Sequence, residues 1–371
     1  MSHSKNKTKK LKDLREQIDR IDEQILKLLN RRARVVLKIA DIKRGSEERF
    51  YVPHREHEIL ERLKRLNTGP FPNDALRIIF REIMSASLSL EEPLKVACLG
   101  PLATFTHLAA QRHFGSFARI IPVESIKDVF EAVVEGVADY GVVPIENSNE
   151  GVVSYTLDMF MDVDLKVSAE IMLEITHNLL SKSGDIKKVK KIYSHPQAIA
   201  QCRRWLERNL PDVKIVDTSS TARAAELAAK DPEGAAIASD LAAKMYDLKF
   251  IKRSIEDNKN NYTRFLVVSH EFPPPTGNDK TSIMLSIKDK PGALFEVLTP
   301  FYKEKINLTK IESRPSKRKA WEYIFFIDLE GHIEEKKVMK ALKEIEKYCI
   351  FLKVLGSYPK SDVMNKGVEE L

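Results

Sequence analysis

The stretch from Leu11 to Arg44, LKDLREQIDRIDEQILKLLNRRARVVLKIADIKR, decides the fold of the first part of the chain. It contains neither glycine nor proline, and Gly45 ends it. Its aliphatic residues recur at intervals of three and four, which predicts one amphipathic helix roughly 50 Å long. The lysine-rich segment Lys5–Lys12 at its start is predicted to be a solvated, frayed arm.

Two shorter helices are predicted after this one. The first covers about residues 53–66 and is followed by the turn around Gly69-Pro70. The second covers about residues 73–91 and can be capped by Asn73 or Asp74. Three helices of such unequal length cannot easily enclose a core. We therefore expect association with a second chain, at least as a homodimer.

Polar residues interrupt the apolar stripes of the first and third helices at five positions: Arg15, Arg32, Lys43, Ser87 and Glu91. Arg32 and Lys43 are about three helical turns apart and share a face. Buried cations need partners, and each one alone is explained as well by an ion pair with Glu56 or Glu91, or by snorkelling at a helix end. Taken together, the five positions predict a cavity for a small dianion, with an acidic group to meet a hydroxyl.

This pattern resembles the all-helical chorismate mutases over most of residues 8–92. The resemblance is carried by Leu14-Arg15, Leu29-x-x-Arg32, Lys43, Arg55-Glu56 and Phe80-x6-Ser87-x3-Glu91. It implies two interlocked chains and a substrate site formed by Arg15 of the second chain, Arg32, Lys43, Val52, Arg55, Glu56, Ser87 and Glu91.

The resemblance also implies how these residues share the chemistry. Arg15 and Arg32 clamp the substrate carboxylates, with Ser87 on a carboxylate and Glu56 on the ring hydroxyl. Lys43 and Glu91 are the expected catalytic residues at the ether oxygen. A Claisen rearrangement needs no nucleophile, so catalysis comes from holding the compact conformer and stabilising charge on that oxygen.

Two positions depart from the family pattern. Val52 stands where some members have aspartate, so any role there falls to its backbone. Glu91 replaces a glutamine of some members, and only a protonated carboxyl could donate a hydrogen bond to the ether oxygen.

After Pro93 the pattern changes to short apolar runs separated by helical patterns, which predicts a largely parallel α/β sheet up to about residue 271. Several runs lead into turns rich in Ser and Thr, such as Thr104-Phe105-Thr106, Ser194-His195-Pro196-Gln197 and Thr218–Thr221. Convergent helix N-termini bind carboxylates, although ordinary capping explains each turn alone. No nucleotide-binding glycine motif occurs, and His54 and His57 lack further clustered ligands, so we expect no cofactor and no metal.

Residues 95–270 resemble the prephenate dehydratases. The matching stretches are VACLGPLATF (96–105), GVVPIENSNEGVVSYT (141–156), SHPQAIAQC (194–202), STARAA (220–225), AAIASDLAAKMY (235–246) and NYTRF (261–265). The resemblance implies a two-lobed α/β fold similar to periplasmic binding proteins, with the substrate between the lobes. Ala103 stands where members commonly have glycine.

The resemblance implies that Thr263 is catalytic and helps to expel the ring hydroxyl as carbon dioxide leaves. A Thr hydroxyl is a poor acid by itself, so water or a neighbouring group must supply its proton. Arg264 is expected to anchor a carboxylate. The other expected cleft residues are Thr104, Glu146, Asn147, Ser148, Ser194, Gln197, Ser219 and Thr221.

The segment Phe272–Asn278, FPPPTGN, reads as a linker, and the pattern after it predicts a βαββαβ ferredoxin-like fold. Gly292-Ala293-Leu294-Phe295 and Glu312-Ser313-Arg314-Pro315 read individually as a helix start and a β-turn. As a pair they resemble the phenylalanine-binding motifs of the ACT domain. The resemblance implies feedback inhibition by L-phenylalanine bound between two subunits.

As a whole the chain resembles the bifunctional chorismate mutase/prephenate dehydratases, which carry chorismate through prephenate to phenylpyruvate. The expected domains are 1–92 (mutase), 94–271 (dehydratase), 280–358 (ACT) and 359–371 (tail). Two alternatives are a solute-binding or sensor protein, and a dehydratase whose helical part only dimerises or regulates. The missing signal peptide and the TRF motif argue against the first. The presence of Arg15, Arg32, Lys43, Glu56 and Glu91 argues against the second.

The bulk composition of the 371 residues agrees with a cytoplasmic enzyme. The net charge is +7, but most basic residues are interleaved with acidic ones, and no nucleic-acid-binding motif is recognised. Small acidic substrates explain the positive excess at least as well as nucleic acid does, so we expect no nucleic-acid partner. Three scattered cysteines suggest no disulfide framework. No signal peptide or membrane span is recognised, which predicts a cytoplasmic location without membrane association.

Overall fold

The computed structural model describes residues 2–43, 53–316 and 323–361. The chain divides into two compact units. One consists of residues 1–94 with 114–118, and the other of residues 95–113 and 119–371. The three predicted segments are present, so the multidomain prediction is confirmed.

The helical unit contains the three predicted helices, α1 (Ser2–Lys43), α2 (Pro53–Leu66) and α3 (Asn73–Ser89). The prediction of a frayed arm at Lys5–Lys12 was wrong, because α1 runs through it from Ser2. Lysines have good helix propensity, and those at positions 7, 9, 10 and 12 remain exposed while the backbone is helical. The third helix begins directly after Pro72, which provides no side-chain cap.

An apolar face of α1 is exposed in the single chain. Its side chains are between 47% and 81% exposed at Leu11, Leu14, Ile18, Ile21, Ile25, Leu28, Val35, Ile39 and Ile42. Such a long exposed apolar stripe is typical of a surface that binds another protein.

The elements of residues 95–271 form the expected α/β region. In chain order they are β1 (Lys95–Leu99), α4 (Phe105–Phe114), β2 (Arg119–Val123), α5 (Ile126–Val134), β3 (Tyr140–Asn147), β4 (Gly151–Val152), α6 (Ser154–Asp162), β5 (Lys166–Glu174), β6 (Asn178–Ser181), β7 (Lys191–Ser194), α7 (Pro196–Gln201), α8 (Arg203–Asn209), β8 (Lys214–Asp217), α9 (Thr221–Lys230), β9 (Gly234–Ala238), α10 (Asp240–Met245), β10 (Lys249–Lys252) and β11 (Tyr262–Ser269).

These strands form two sheets, one for each lobe. The first has the order β2-β1-β3-β11-β5, with β4 paired to β3, and the second has the order β10-β6-β9-β7-β8. The chain crosses between the sheets twice, after β5 and after β10. The prediction of largely parallel sheets was wrong, because β11 runs antiparallel to both neighbours and β6 antiparallel to β9 and β10. The first strand after each crossing, β6 or β11, runs opposite to the parallel strands of its sheet.

The C-terminal region has the predicted βαββαβ order. It consists of β12 (Asp279–Ile287), α11 (Ala293–Lys303), β13 (Leu308–Pro315), β14 (Tyr323–Glu330), α12 (Lys336–Ile345) and β15 (Cys349–Pro359). The sheet order β13-β14-β12-β15 is that of a ferredoxin-like fold. Val297, Phe301 and Val338 of the two helices pack on one face of this sheet.

The opposite face of the C-terminal sheet packs on the sheet of the first lobe. Met284, Phe326 and Leu355 share one continuous core with Val167 and Leu266. The segment 272–278 has no helix or strand, as expected of a linker, but it joins two parts of one packed unit.

Candidate active sites

Thr263 lies at the start of β11, directly after the second crossing between the lobes. Its Cα partner on β3 is Asn147. The Asn147 Nδ2 donates to Thr263 Oγ1 and to Asn261 Oδ1, both at 2.9 Å. A hydroxyl that accepts a hydrogen bond keeps its own proton for donation. The structure therefore brings together two of the predicted residues, with the threonine oxygen held in place.

A chain of hydrogen bonds continues from this pair into the second lobe. Asn261 Nδ2 donates to Gln201 Oε1 at 2.9 Å, and His177 Nε2 lies 2.8 Å from the same oxygen. Because that oxygen can only accept, His177 is the Nε2–H tautomer. Its buried Nδ1 has no hydrogen-bond partner among the residues described. Burial lowers the pKa of His177, so its ring is neutral near pH 7.

Sequence reasoning missed Gln201, Asn261 and His177 as parts of this site. Gln201 and Asn261 lie inside the stretches that carry the dehydratase resemblance, SHPQAIAQC and NYTRF, so a signal for them was present. His177 lies in the first crossing and had no motif. Its contact depends on the two crossings running side by side, where Ile255 N–H donates to the His177 carbonyl at 2.8 Å.

The hydroxyls expected in the cleft are largely committed to the backbone. Ser194 Oγ is buried and donates to the Ile237 carbonyl at 3.0 Å. Thr104 Oγ1 donates to the Leu99 carbonyl at 3.0 Å. Ser148 Oγ donates to the Asn260 carbonyl at 3.1 Å. Of the three, only Thr104 also accepts from a helix N–H, that of His107 at 3.3 Å, and the N-cap of α7 is His195 rather than Ser194.

The remaining expected cleft residues lie at helix starts in the second lobe. Thr221 opens α9, and the side chain of the preceding Ser220 caps the helix by accepting from Arg223 N–H at 3.0 Å. Ser219 is exposed. Gln197 lies in the first turn of α7, where its N–H donates to His195 Nδ1.

Ala103 occupies a strained position in the loop after β1. Its φ of 71° lies in the left-handed region, which glycine adopts more easily than alanine does. The residue is fully buried, and its N–H donates to His107 Nδ1 at 2.9 Å.

Glu146 and Arg264 lie on the other face of the sheet from Thr263. They are Cα partners on β3 and β11, and successive side chains of a strand point to opposite faces. Arg264 donates to Glu170, Asp328 and Tyr358, and Glu146 accepts from Lys310. The structure therefore does not support Arg264 as a carboxylate anchor or Glu146 as a cleft residue, because protein groups occupy both.

In the helical unit, α1 and α3 bring Arg32 and Ser87 together. Arg32 Nη1 donates to Ser87 Oγ, which in turn donates to the Ile83 carbonyl at 2.6 Å. Burial lowers the pKa of Arg32 from its ordinary value, and the nearby Glu56 carboxylate partly offsets this. A half-buried guanidinium next to a hydroxyl and a carboxylate is suited to hold a substrate carboxylate and hydroxyl.

The other expected mutase residues are less closely gathered. Arg55 is exposed and pairs with Glu58 at 2.9 Å, and Arg15 is exposed on α1. Glu91 is half-buried just beyond the end of α3. Val52 and the side chains of Lys43, His54 and His57 lie outside the described residues.

The two motifs expected to bind phenylalanine lie at the N-terminus of α11 and on β13. Gly292 caps α11 with a φ of 80°, and the Phe295 side chain is 75% exposed. Strand β13 is the edge of its sheet. Arg314 on this strand pairs with Asp158 of α6 at 3.2 Å, and Ser313 and Pro315 alternate with it on the exposed face.

No helix among the described residues is long and apolar enough to cross a membrane. In the same part of the chain, no group of His, Cys, Asp and Glu side chains could hold a metal ion.

Comparison with known proteins assigns each part of the chain to a family. Family models match for chorismate mutase type II over residues 14–92, prephenate dehydratase over 96–273 and the ACT domain over 281–347. The fold and its sites thus define a multidomain enzyme with two catalytic domains and one regulatory domain.

Relatives that match over nearly their full length have the same combination of activities in one chain. A bifunctional chorismate mutase/prephenate dehydratase of Aquifex aeolicus (strain VF5) is 55% identical over 95% of this chain and 98% of the relative. The chain belongs to the family of bifunctional chorismate mutase/prephenate dehydratases, enzymes of phenylalanine synthesis under feedback control. The alternative of a merely regulatory helical domain is wrong, because the mutase domain itself is present.

Solved structures match the second unit. A prephenate dehydratase from Arthrobacter aurescens in complex with L-Phe has a TM-score of 0.67 and 37% identity, over 72% of this chain and 91% of that one. A structure described as a novel type of quorum quenching acylase has a TM-score of 0.68 and 27% identity, over 73% and 99%. The shared fold alone therefore does not fix the reaction, whereas the full-length relatives name it.

Proposed function

We propose that this chain rearranges chorismate to prephenate in its helical unit and converts prephenate to phenylpyruvate between its two α/β lobes. The observation that carries the second step is the Asn147–Thr263 hydrogen bond at the crossing between the lobes. It presents a nearly buried hydroxyl where both lobes can enclose a substrate.

In the proposed dehydration, Thr263 donates a hydrogen bond to the leaving hydroxyl, and every bond that breaks has its electrons and protons accounted for. The bond between the ring and its carboxylate breaks and releases carbon dioxide, and its electron pair forms the new ring double bond. The ring C–O bond breaks, and the departing oxygen takes a proton to leave as water. Thr263 donates a hydrogen bond to that oxygen, Asn147 fixes the direction, and water supplies the proton.

We propose that the mutase site is completed by a second copy of the chain. Arg32, Ser87 and Glu56 hold one end of the substrate, Arg15 is contributed by the second chain, and Glu91 meets the ether oxygen. The exposed apolar stripe of α1 supports this arrangement, because a second chain would cover it. Lys43, Val52 and Arg55 stay predictions from the family resemblance.

We further propose that L-phenylalanine binds between the ACT domains of two subunits, at residues 292–295 of one and 312–315 of the other. The exposed Phe295 and the edge strand β13 support this, since both can face a second copy. A cytoplasmic location completes the proposal. It is supported by three free cysteines, which suit a reducing compartment.

The test is an assay of the purified chain with chorismate, with and without L-phenylalanine. We expect prephenate to form first, then phenylpyruvate, with L-phenylalanine slowing the second product. A binding or sensor protein would form neither product. Thr263→Ala should stop phenylpyruvate formation and let prephenate accumulate. Phenylpyruvate formation by this variant at the parental rate would refute the role of Thr263.

A further inference from the structure

Six polar side chains meet between the sheet of the first lobe and the sheet of the ACT domain. We call them the joint cluster, which consists of Glu170, Arg264, Lys280, Ser282, Asp328 and Tyr358. Arg264 Nε donates to Glu170 Oε2 at 2.8 Å, and its Nη1 donates to Asp328 Oδ2 at 2.6 Å. Lys280 Nζ lies 2.9 Å from Glu170 Oε2. The ionic side chains are at most 10% exposed.

The charges of the joint cluster balance. Arg264 and Lys280 are matched by Glu170 and Asp328, so each domain contributes one cation and one anion. Burial tends to raise the pKa of Asp328, but Arg264, Ser282 and Lys280 outweigh it and hold the pKa below its ordinary value. Removing one member leaves a buried charge without a partner, which is strongly unfavourable. The cluster therefore holds the two sheets in one relative position.

This position matters because the cluster lies directly behind the dehydration site. Thr263 and Asn147 are partners on one face of the first-lobe sheet, and Arg264 and Glu146 are the next pair, on the opposite face. The ACT domain holds both members of that second pair. Asp328 contacts Arg264, and Lys310 Nζ donates to Glu146 Oε2 at 2.7 Å.

We propose that Arg264 and Glu146 are positioning residues for dehydration, and that Asp328, Lys280 and Lys310 of the ACT domain set the place of Thr263 and Asn147 through them. The inference rests on the proposed role of Thr263. A shift of the ACT sheet moves Arg264 and Glu146, and each carries its neighbour in the strand. Misplacement of a catalytic group by about 1 Å can cost on the order of 100-fold in rate.

The test is the double substitution Lys280→Met with Asp328→Asn in the full chain. It removes one positive and one negative charge, so the remaining Arg264–Glu170 pair stays balanced while its ionic link to the ACT domain is lost. We expect dehydratase kcat to fall by about 10-fold to 100-fold. KM should change far less, because no group of the cleft is altered. The concentration of L-phenylalanine that halves the rate should rise.

Three comparisons separate positioning from stability. The calorimetric unfolding enthalpy of each variant, relative to the parent, reports the fraction of folded chains; the mutase rate cannot, because it belongs to the separate helical unit. Lys303→Met with Glu344→Gln removes an exposed ion pair of the ACT helices and should leave dehydratase kcat unchanged. All rates are measured well below the unfolding temperature of each variant. A merely structural role would lower that temperature without changing kcat.

Lys310→Met is a second, gentler variant, because Glu146 is 38% exposed and tolerates the loss of its partner. If the double variant does not fold, Lys310→Met tests the positioning role instead. It should lower dehydratase kcat and leave KM unchanged. Folded variants with parental kcat and parental inhibition would overturn the inference. That outcome would leave the function of Thr263 intact, since Thr263→Ala tests it separately.

Discussion

Gly356 offers a direct test of how the ACT domain is attached to the dehydratase domain. It is buried on β15, and a Cβ at this position would lie 2.1 Å from the Val167 carbonyl oxygen and 2.8 Å from the Val167 nitrogen. Ordinary carbon–oxygen contacts are about 3.3 Å or longer. Gly356→Ala must therefore push β15 away from β5 by about 1 Å, because both neighbouring atoms belong to the backbone.

The expected cost of Gly356→Ala follows from this overlap. Overpacking of a core typically costs about 1–3 kcal/mol. For a unit of this size each kcal/mol lowers the unfolding temperature by roughly 2–4 °C, so we expect a decrease of about 2–12 °C. Tyr358 of the joint cluster is two residues away on the same strand. Inhibition by L-phenylalanine should therefore weaken as well.

The measurement combines calorimetry of the full chain with assays of both activities. Gly69→Ala is the matched control, because a Cβ at Gly69 would have nothing within 4 Å. Mutase activity should survive Gly356→Ala, since the helical unit does not contain this residue. If Gly356→Ala unfolds at the parental temperature and is inhibited normally, β15 does not pack on β5 as described, and the attachment we infer is wrong.

Three further predictions concern single side chains. Thr263→Ala should abolish dehydration and spare the mutase, whereas Thr263→Ser, which keeps the hydroxyl, should retain part of the activity; product analysis from chorismate checks both. Mutase kcat/KM should fall as Glu91 ionises with rising pH. Glu91→Gln should flatten that fall, whereas the control Glu92→Gln should not. Identical pH profiles for the parent and Glu91→Gln would refute a donor role for Glu91. The pKa of Asp328 is held below its ordinary value of about 3.9, so its contribution to stability is present above that pH and is lost as pH falls towards the folded pKa. The gap in unfolding temperature between the parent and Asp328→Asn should therefore shrink below about pH 4, and a constant gap in pH-dependent melts would contradict the pairing.

Local sequence patterns predicted the positions of helices and strands well. They predicted the relative directions of neighbouring strands less well. The second helix was predicted at about residues 53–66 and is observed from Pro53 to Leu66, because its start and apolar spacing are local signals. The direction of β11 relative to β3 is not local, since the chain visits the second lobe between them. The mixed sheets therefore had no signature in any single stretch of sequence.

The segment 272–278 shows the same limit at the level of domains. Its prolines and glycine indicated a linker, and it has no regular structure. Whether linked domains pack together depends on surfaces far from the linker. Here Gly356 contacts Val167, and Met284 and Phe326 share a core with Leu266. Removing the chain after about Asp279 would expose that core. A truncated chain therefore could not separate loss of regulation from loss of folding.

The TRF motif shows why a correct motif can still misplace a residue. Thr263 and Arg264 are adjacent, and a motif does not say which of them faces the substrate. Strand alternation sends them to opposite faces, so a single strand cannot present both to one ligand. A solvent-exposed back face would have left Arg264 free, but the ACT sheet covers it with Asp328 and Tyr358. The same two residues thus connect the proposed dehydration site on one face of the sheet to the ACT domain on the other.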